Sequence, residues 1–170
     1  MSNAPMAITI AGLYAIGTTV LLFAALHDVA FRTIPNWLPT LLLGVGILMR
    51  VQSGTLMLGL LTGFLILIGT TICWLRGWLG GGDVKLLAAC GVLVPPALAV
   101  SLLLAVALSG GLLAMLYLGF AKMVSPITRS RPSGLIRRVC RVERRRIQHR
   151  GPLPYASAIA AGTLFVLLRG

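Results

Sequence analysis

Acidic residues are almost missing from this chain. Its 170 residues include three, Asp28, Asp83 and Glu143, against fifteen lysines and arginines, for a net charge of +12. Charged residues make up 11% of the sequence and apolar residues 58%, whereas a soluble domain carries roughly 25% charged and 45–50% apolar residues. That leaves too little polar surface to cover a water-soluble globule, and the apolar excess equally excludes intrinsic disorder. Cysteines are few: Cys73, Cys90 and Cys140 stand far apart without a CxxC pair, which excludes a zinc ribbon or a disulfide framework. Neither HExxH nor GxSxG occurs, so the common zinc-protease and serine-hydrolase motifs are absent. No repeat at solenoid spacing is visible. Met1 to Pro5 carries no Lys or Arg ahead of the first apolar run, which argues against a cleavable signal peptide.

What remains is a multi-pass membrane protein. Six apolar runs are readable: Met6–Leu26, Trp37–Met49, Thr55–Leu75, Val84–Val94, Ala97–Phe120 and Leu153–Leu168. In an all-α membrane protein, helices satisfy every backbone group inside the bilayer, and the first, third and fifth runs are long enough for its core. Val84–Val94 is short, and Pro95-Pro96 breaks it. Charge decides whether it crosses. With six crossings, one side receives Arg32, Arg76, Lys85 and the ten basic residues between Lys122 and Arg150, while the other receives Arg50 and Arg169. This asymmetry predicts six transmembrane helices with both termini non-cytoplasmic.

A single polytopic domain over 1–170 is therefore expected, with one basic cytoplasmic loop at 121–152. Leu135, Ile136, Val139, Val142 and Ile147 fall near helical spacing among the arginines of this loop. The pattern predicts a short amphipathic helix on anionic membrane lipids. The loop lacks the aromatic platforms of a nucleic-acid binder, so no nucleic-acid partner is expected.

Two of the three acids attract interest. Asp28 ends the first run and Asp83 begins the fourth, so the topology puts both at one membrane edge, where ionisable groups are costly and usually functional. Glu143 sits among arginines and reads as a local ion pair. Two carboxyls that share a proton activate water with the charged member and protonate a carbonyl with the neutral one, without metal or cofactor. Each aspartate also has a plain structural reading: Asp83 follows three glycines and suits a helix start, and Asp28 suits pairing with Arg32. Other arrangements are poorer. Ser109-Gly110-Gly111 marks close helix packing, and His27 reads as a polar interface residue. Metal ligation by His27, Asp28 and Asp83 lacks a further ligand.

The flanking residues carry a resemblance. Asp28-Val-Ala-Phe-Arg32-Thr-Ile34-Pro35-Asn36 and Gly80-Gly81-Gly82-Asp83-Val-Lys85 resemble the two signature loops of the type IV prepilin peptidases, GxGD membrane aspartyl proteases. Leu153-Pro154-Tyr155 through Gly162 is similar to that family's closing segment. The resemblance implies an aspartic endopeptidase of the bacterial inner membrane. Such an enzyme removes the short basic leader of type IV prepilin or pilin-like precursors at the cytoplasmic face, just ahead of their hydrophobic segment. Asp28 and Asp83 would be its catalytic pair. Gly80 and Gly82 would let backbone approach the substrate, Pro35 would stiffen the first loop with Asn36, and Lys85 would orient Asp83. Longer members carry an amino-terminal domain with paired CxxC motifs, associated with methyl transfer. None is seen here, so the chain resembles the peptidase-only form of tight-adherence pilus systems, and no methyltransferase activity is expected.

A finer expectation comes from helix dipoles. Asp28 lies at a helix carboxyl end and Asp83 at a helix amino end, which favours Asp83 as the charged base and Asp28 as the protonated acid. The rival reading is a small channel, transporter or pilus-assembly scaffold without protease activity. It does not explain why both aspartates lie at one edge, when transport sites lie near mid-membrane.

Overall fold

The long apolar runs fold as helices throughout. A computed structural model describes residues 4–123 and 153–169. Six α-helices follow in chain order: α1 Ala4–Phe31, α2 Trp37–Gln52, α3 Leu56–Leu75, α4 Gly81–Leu93, α5 Ala99–Met123 and α6 Tyr155–Arg169. A 3-10 turn at Pro96–Leu98 leads into α5, and no strand occurs among the described residues. Three stretches are long and apolar enough to cross a membrane, Thr9–Phe31, Leu56–Leu75 and Pro96–Gly119, with α2 and α6 as shorter apolar helices. The amphipathic helix expected around Leu135–Ile147, with Glu143, Cys140 and His149, lies outside the described residues.

Helix ends differ from the apolar runs where backbone bonding, not hydropathy, sets the boundary. The first run ends at Leu26, yet α1 continues to Phe31 and carries His27 and Asp28 within the helix. It stops at Arg32, whose φ of 57° is left-handed and whose N–H bonds the Asp28 carbonyl at 2.8 Å. That is the usual geometry of a helix end, here without the usual glycine. Pro35 then prevents continuation.

The short helix α4 is the axis of the bundle. It packs against α2, α3 and α6, while α1 bridges α2 and α6, and α5 lies on α6. Val84, Leu86, Leu87 and Ala89 through Leu93 are all buried, so α4 shows almost no outer face. By contrast α3 and α5 expose Leu58, Leu61, Phe64, Leu104, Leu108 and Leu112. Outward apolar surface on this scale suits lipid and not water.

Close backbone approach holds the helices in register. A Cβ on Gly46 would stand 2.9 Å from the Leu93 nitrogen, and one on Gly162 would stand 2.6 Å from the Val106 nitrogen. Small residues at such crossings are how membrane helices gain packing energy without a hydrophobic drive between them. At the end of α4, Arg50 is buried and reaches the Leu93 carbonyl at 3.4 Å and Thr55 Oγ1 at 3.3 Å. It thereby satisfies a carbonyl that the helix itself cannot bond.

Candidate active site

One end of the bundle gathers the close of α1, the starts of α2, α4 and α6, and the residues singled out in the sequence. Asp28, one turn before the end of α1, is 6% exposed. Its Oδ2 accepts a hydrogen bond of 3.1 Å from the Ala156 N–H in the first turn of α6. That amide has no carbonyl partner within its own helix, so the carboxylate and the helix start complete each other.

Asp83 lies in the first turn of α4, just ahead of the Val84–Val94 run. Its Oδ2 accepts from the Gly80 N–H at 3.3 Å. This is the returning half of a capping box: the third helical residue reaches back to the residue before the helix. The structural reading of Asp83 as a helix-start residue is therefore part of the truth. It does not account for the electrostatics. Burial first, and the charge of Asp28 second, push the Asp83 carboxyl from 3.8 to about 6, against the pull of the Gly80 N–H. The two aspartates are thus within electrostatic reach of one another.

The raised Asp83 carboxyl runs against its reading as the charged base. It keeps its proton to higher pH than an ordinary carboxyl. Desolvation outweighs its helix-start position, while Asp28, at the carboxyl end of its own helix, is served by the amino end of another.

The two signature loops interlock. Lys85 Nζ donates to Asn36 Oδ1 at 2.9 Å, so the lysine ties the start of α4 to the α1–α2 loop, where sequence reasoning had it orienting Asp83. Asn36 also precedes α2, and its carbonyl accepts from Thr40 N–H and Thr40 Oγ1 at 3.3 and 2.9 Å. The Pro35 carbonyl accepts from the Leu38 N–H at 3.1 Å, which sets the turn into α2. The loop glycines serve contacts inside the protein. A Cβ on Gly82 would stand 3.0 Å from the Ile34 Cβ, and one on Gly80 would stand 2.8 Å from Asp83 Oδ2.

His27 engages the loop: its Nδ1 bonds the Thr33 carbonyl at 2.7 Å, and its ring lies 4.7 Å from that of Phe31. With a carbonyl as partner, Nδ1 is the donor. Arg32 reaches across to α5, where its Nη2 donates to the Tyr117 hydroxyl at 3.2 Å. No group of three or more His, Cys, Asp or Glu with metal-binding spacing occurs among the described residues.

Sequence reasoning placed the start of α6 in the closing segment but named no site residue there. Ala156 contributes only a backbone amide. Tyr155 precedes it, partly exposed, with its phenol within electrostatic reach of Asp83 and Cys73. The tyrosine ring lies on α5, where a Cβ on Gly110 would come within 2.9 Å of its Cε2. A groove of about 370 Å³ between α3 and α5 also ends at Cys73.

The arrangement at this end is two carboxyls, one of them raised toward neutrality by burial, at two interlocked loops. A model of the type IV leader peptidase family matches residues 15–115, more than half of the chain and inclusive of both aspartates. The chain belongs to that family. No curated protein and no solved structure matches it. Membership in this leader peptidase family makes a peptidase of the membrane bundle and implies a prepilin-type substrate. The α6 start lies beyond the matched residues, although it completes the site.

Proposed function

We propose that the chain is a membrane aspartic endopeptidase that removes the short leader of type IV prepilin or pilin-like precursors at the cytoplasmic face of the bacterial inner membrane. Six crossings, with both termini non-cytoplasmic, put the dyad end of the bundle on that face by the charge asymmetry. A precursor anchored by its own hydrophobic segment presents its cut site at the same depth. The observation that carries this reading is the pairing of Asp28 and Asp83 in a chain that has only one other acid.

The raised Asp83 carboxyl favours one order of proton transfers. The Asp28 carboxylate, held by the Ala156 N–H, takes a proton from water as the water oxygen attacks the scissile carbonyl carbon. Protonated Asp83 gives its proton to the carbonyl oxygen, leaving a neutral gem-diol. Asp28 then passes its proton to the peptide nitrogen, the C–N bond breaks, and Asp83 recovers a proton from the diol. Both groups end as they began. Each step moves one proton between groups already placed, the condition under which general acid–base catalysis works. The supporting residues Gly80, Gly82, Lys85, Pro35 and Asn36 act by fixing the loops.

Co-expression with a pilin-like precursor tests the reading, with leader loss followed by gel shift and mass spectrometry. Wild type cleaves, and Asp28→Asn and Asp83→Asn at matched membrane levels each lose at least about 1,000-fold in rate, as expected when one member of a catalytic unit is removed. Normal cleavage by either variant refutes the two-aspartate mechanism. The channel or scaffold reading predicts no cleavage by any form.

A further inference from the structure

The start of α6 supplies more than an amide to Asp28. Tyr155 is its first residue, directly before the Ala156 amide that bonds Asp28, and its phenol lies within electrostatic reach of Asp83. Among the described residues no hydrogen bond engages the Tyr155 hydroxyl. Its neighbours by contrast are occupied: Lys85 with Asn36, His27 with Thr33, Arg32 with Tyr117 and Asp28 with Ala156. A partly buried hydroxyl left open beside a dyad is a donor in reserve.

Its placement is built in. The ring rests where α5 has Gly110, and a methyl group there would stand 2.9 Å from Cε2 and 3.3 Å from the hydroxyl oxygen. At the other side the α6 backbone is anchored one residue later through the Ala156–Asp28 bond. Ring and backbone are thus both held, and what remains free is the hydroxyl.

We propose that Tyr155 is a third catalytic residue, whose hydroxyl donates a hydrogen bond to the scissile carbonyl oxygen as that oxygen gains negative charge. This rests on the dyad reading above. The phenol transfers no proton. It stabilises the oxygen in the interval before the Asp83 proton has arrived, the task of an oxyanion donor. A neutral donor on a fixed ring is suited to it, because it costs no reorganisation when the charge appears. It also gives Asp83 a partner on the reacting atom: the acid delivers the proton, and the phenol lowers the energy of the oxygen that receives it.

Tyr155→Phe is the decisive variant, since it keeps the ring over Gly110 and removes only the hydroxyl. Wild type, Tyr155→Phe and Asp83→Asn are compared on one detergent-solubilised precursor, with kcat and KM separated. A second measurement follows binding of a statine-type inhibitor, whose hydroxyl-bearing tetrahedral carbon mimics the gem-diol. The expected result is a fall of about 100-fold in kcat for Tyr155→Phe, in line with the loss of one oxyanion donor, with KM within about twofold. The inhibitor binds the variant at least about tenfold more weakly. Unchanged kcat and inhibitor affinity in Tyr155→Phe, with Asp83→Asn inactive, overturn the tyrosine's role and leave the dyad standing. A loss confined to KM also overturns it, because it assigns the hydroxyl to substrate docking. Full activity of Asp83→Asn overturns the dyad reading itself.

Discussion

Only two aspartates occur in the chain, so labelling aspartate with carbon-13 at the side-chain carboxyl gives two resonances, one for each half of the proposed dyad. The carboxyl of Asp83 is pushed from 3.8 to about 6. At 1.36 kcal/mol per unit, this difference is about 3 kcal/mol against its charged form. Burial is the larger cause and the Asp28 charge the smaller. One resonance should therefore titrate with a midpoint near 6 and vanish in Asp83→Asn. In Asp28→Asn that midpoint should fall but stay above the ordinary carboxylate value, because desolvation persists when the neighbouring charge is gone. A fall to the ordinary carboxylate value would show that charge, and not burial, sets the shift. If the resonance near 6 is the one lost in Asp28→Asn, the division of labour between the two is reversed. The same shift has a thermodynamic sign. A carboxyl whose value is raised by folding contributes its full stability below 3.8 and loses it as pH rises through about 6. Asp83→Asn should accordingly be more stable than wild type at pH 8, by at most about 3 kcal/mol, and equally stable at pH 3, as read by thermal unfolding. A variant no more stable than wild type at pH 8 would refute the burial argument.

The remaining predictions are briefer. The acid form of Asp83 is lost as pH passes about 6, so kcat/KM should decline about tenfold per unit well above that value; a flat profile to pH 9 would count against Asp83 as the acid. Gly110→Ala pushes on the Tyr155 ring at 2.9 Å and should lower the cleavage rate about tenfold or more with little change in melting temperature, compatible with displacement of a fixed donor. Gly162→Leu forces side-chain bulk onto α5 backbone, where even a Cβ stands 2.6 Å from Val106 N. It should destabilise the bundle by several kcal/mol, read by thermal unfolding in detergent. Lys85→Met removes the 2.9 Å bond to Asn36, an exposed one worth about 1 kcal/mol. Its cleavage rate should drop no more than about tenfold, whereas a loss as large as that of Asp83→Asn would return the lysine to the chemistry.

What could be read beforehand follows a physical divide. The proposed dyad could be picked out because a chain so poor in acids keeps its two aspartates at the ends of apolar runs, and because their loops are contiguous stretches of sequence. Helix existence was equally plain, since long apolar segments leave the backbone no other partner. The order of protonation was not. It depends on how deeply Asp83 is covered and on which helix start Asp28 meets, and that helix start belongs to α6, more than 120 residues beyond Asp28. A backbone amide has no residue signature, so Ala156 could not be singled out by any motif. Gly110 looked like a packing glycine because it is one; only its neighbour reveals that what it packs is the tyrosine beside the dyad. Lys85 shows the same limit from the other side. Its position two residues after Asp83 suggested a partner for the carboxyl, yet on a helix residues two apart point to different faces, and that geometry sends the ammonium to Asn36. In the proposed mechanism the loops therefore supply the reacting groups, and the closing helix supplies the amide that holds Asp28.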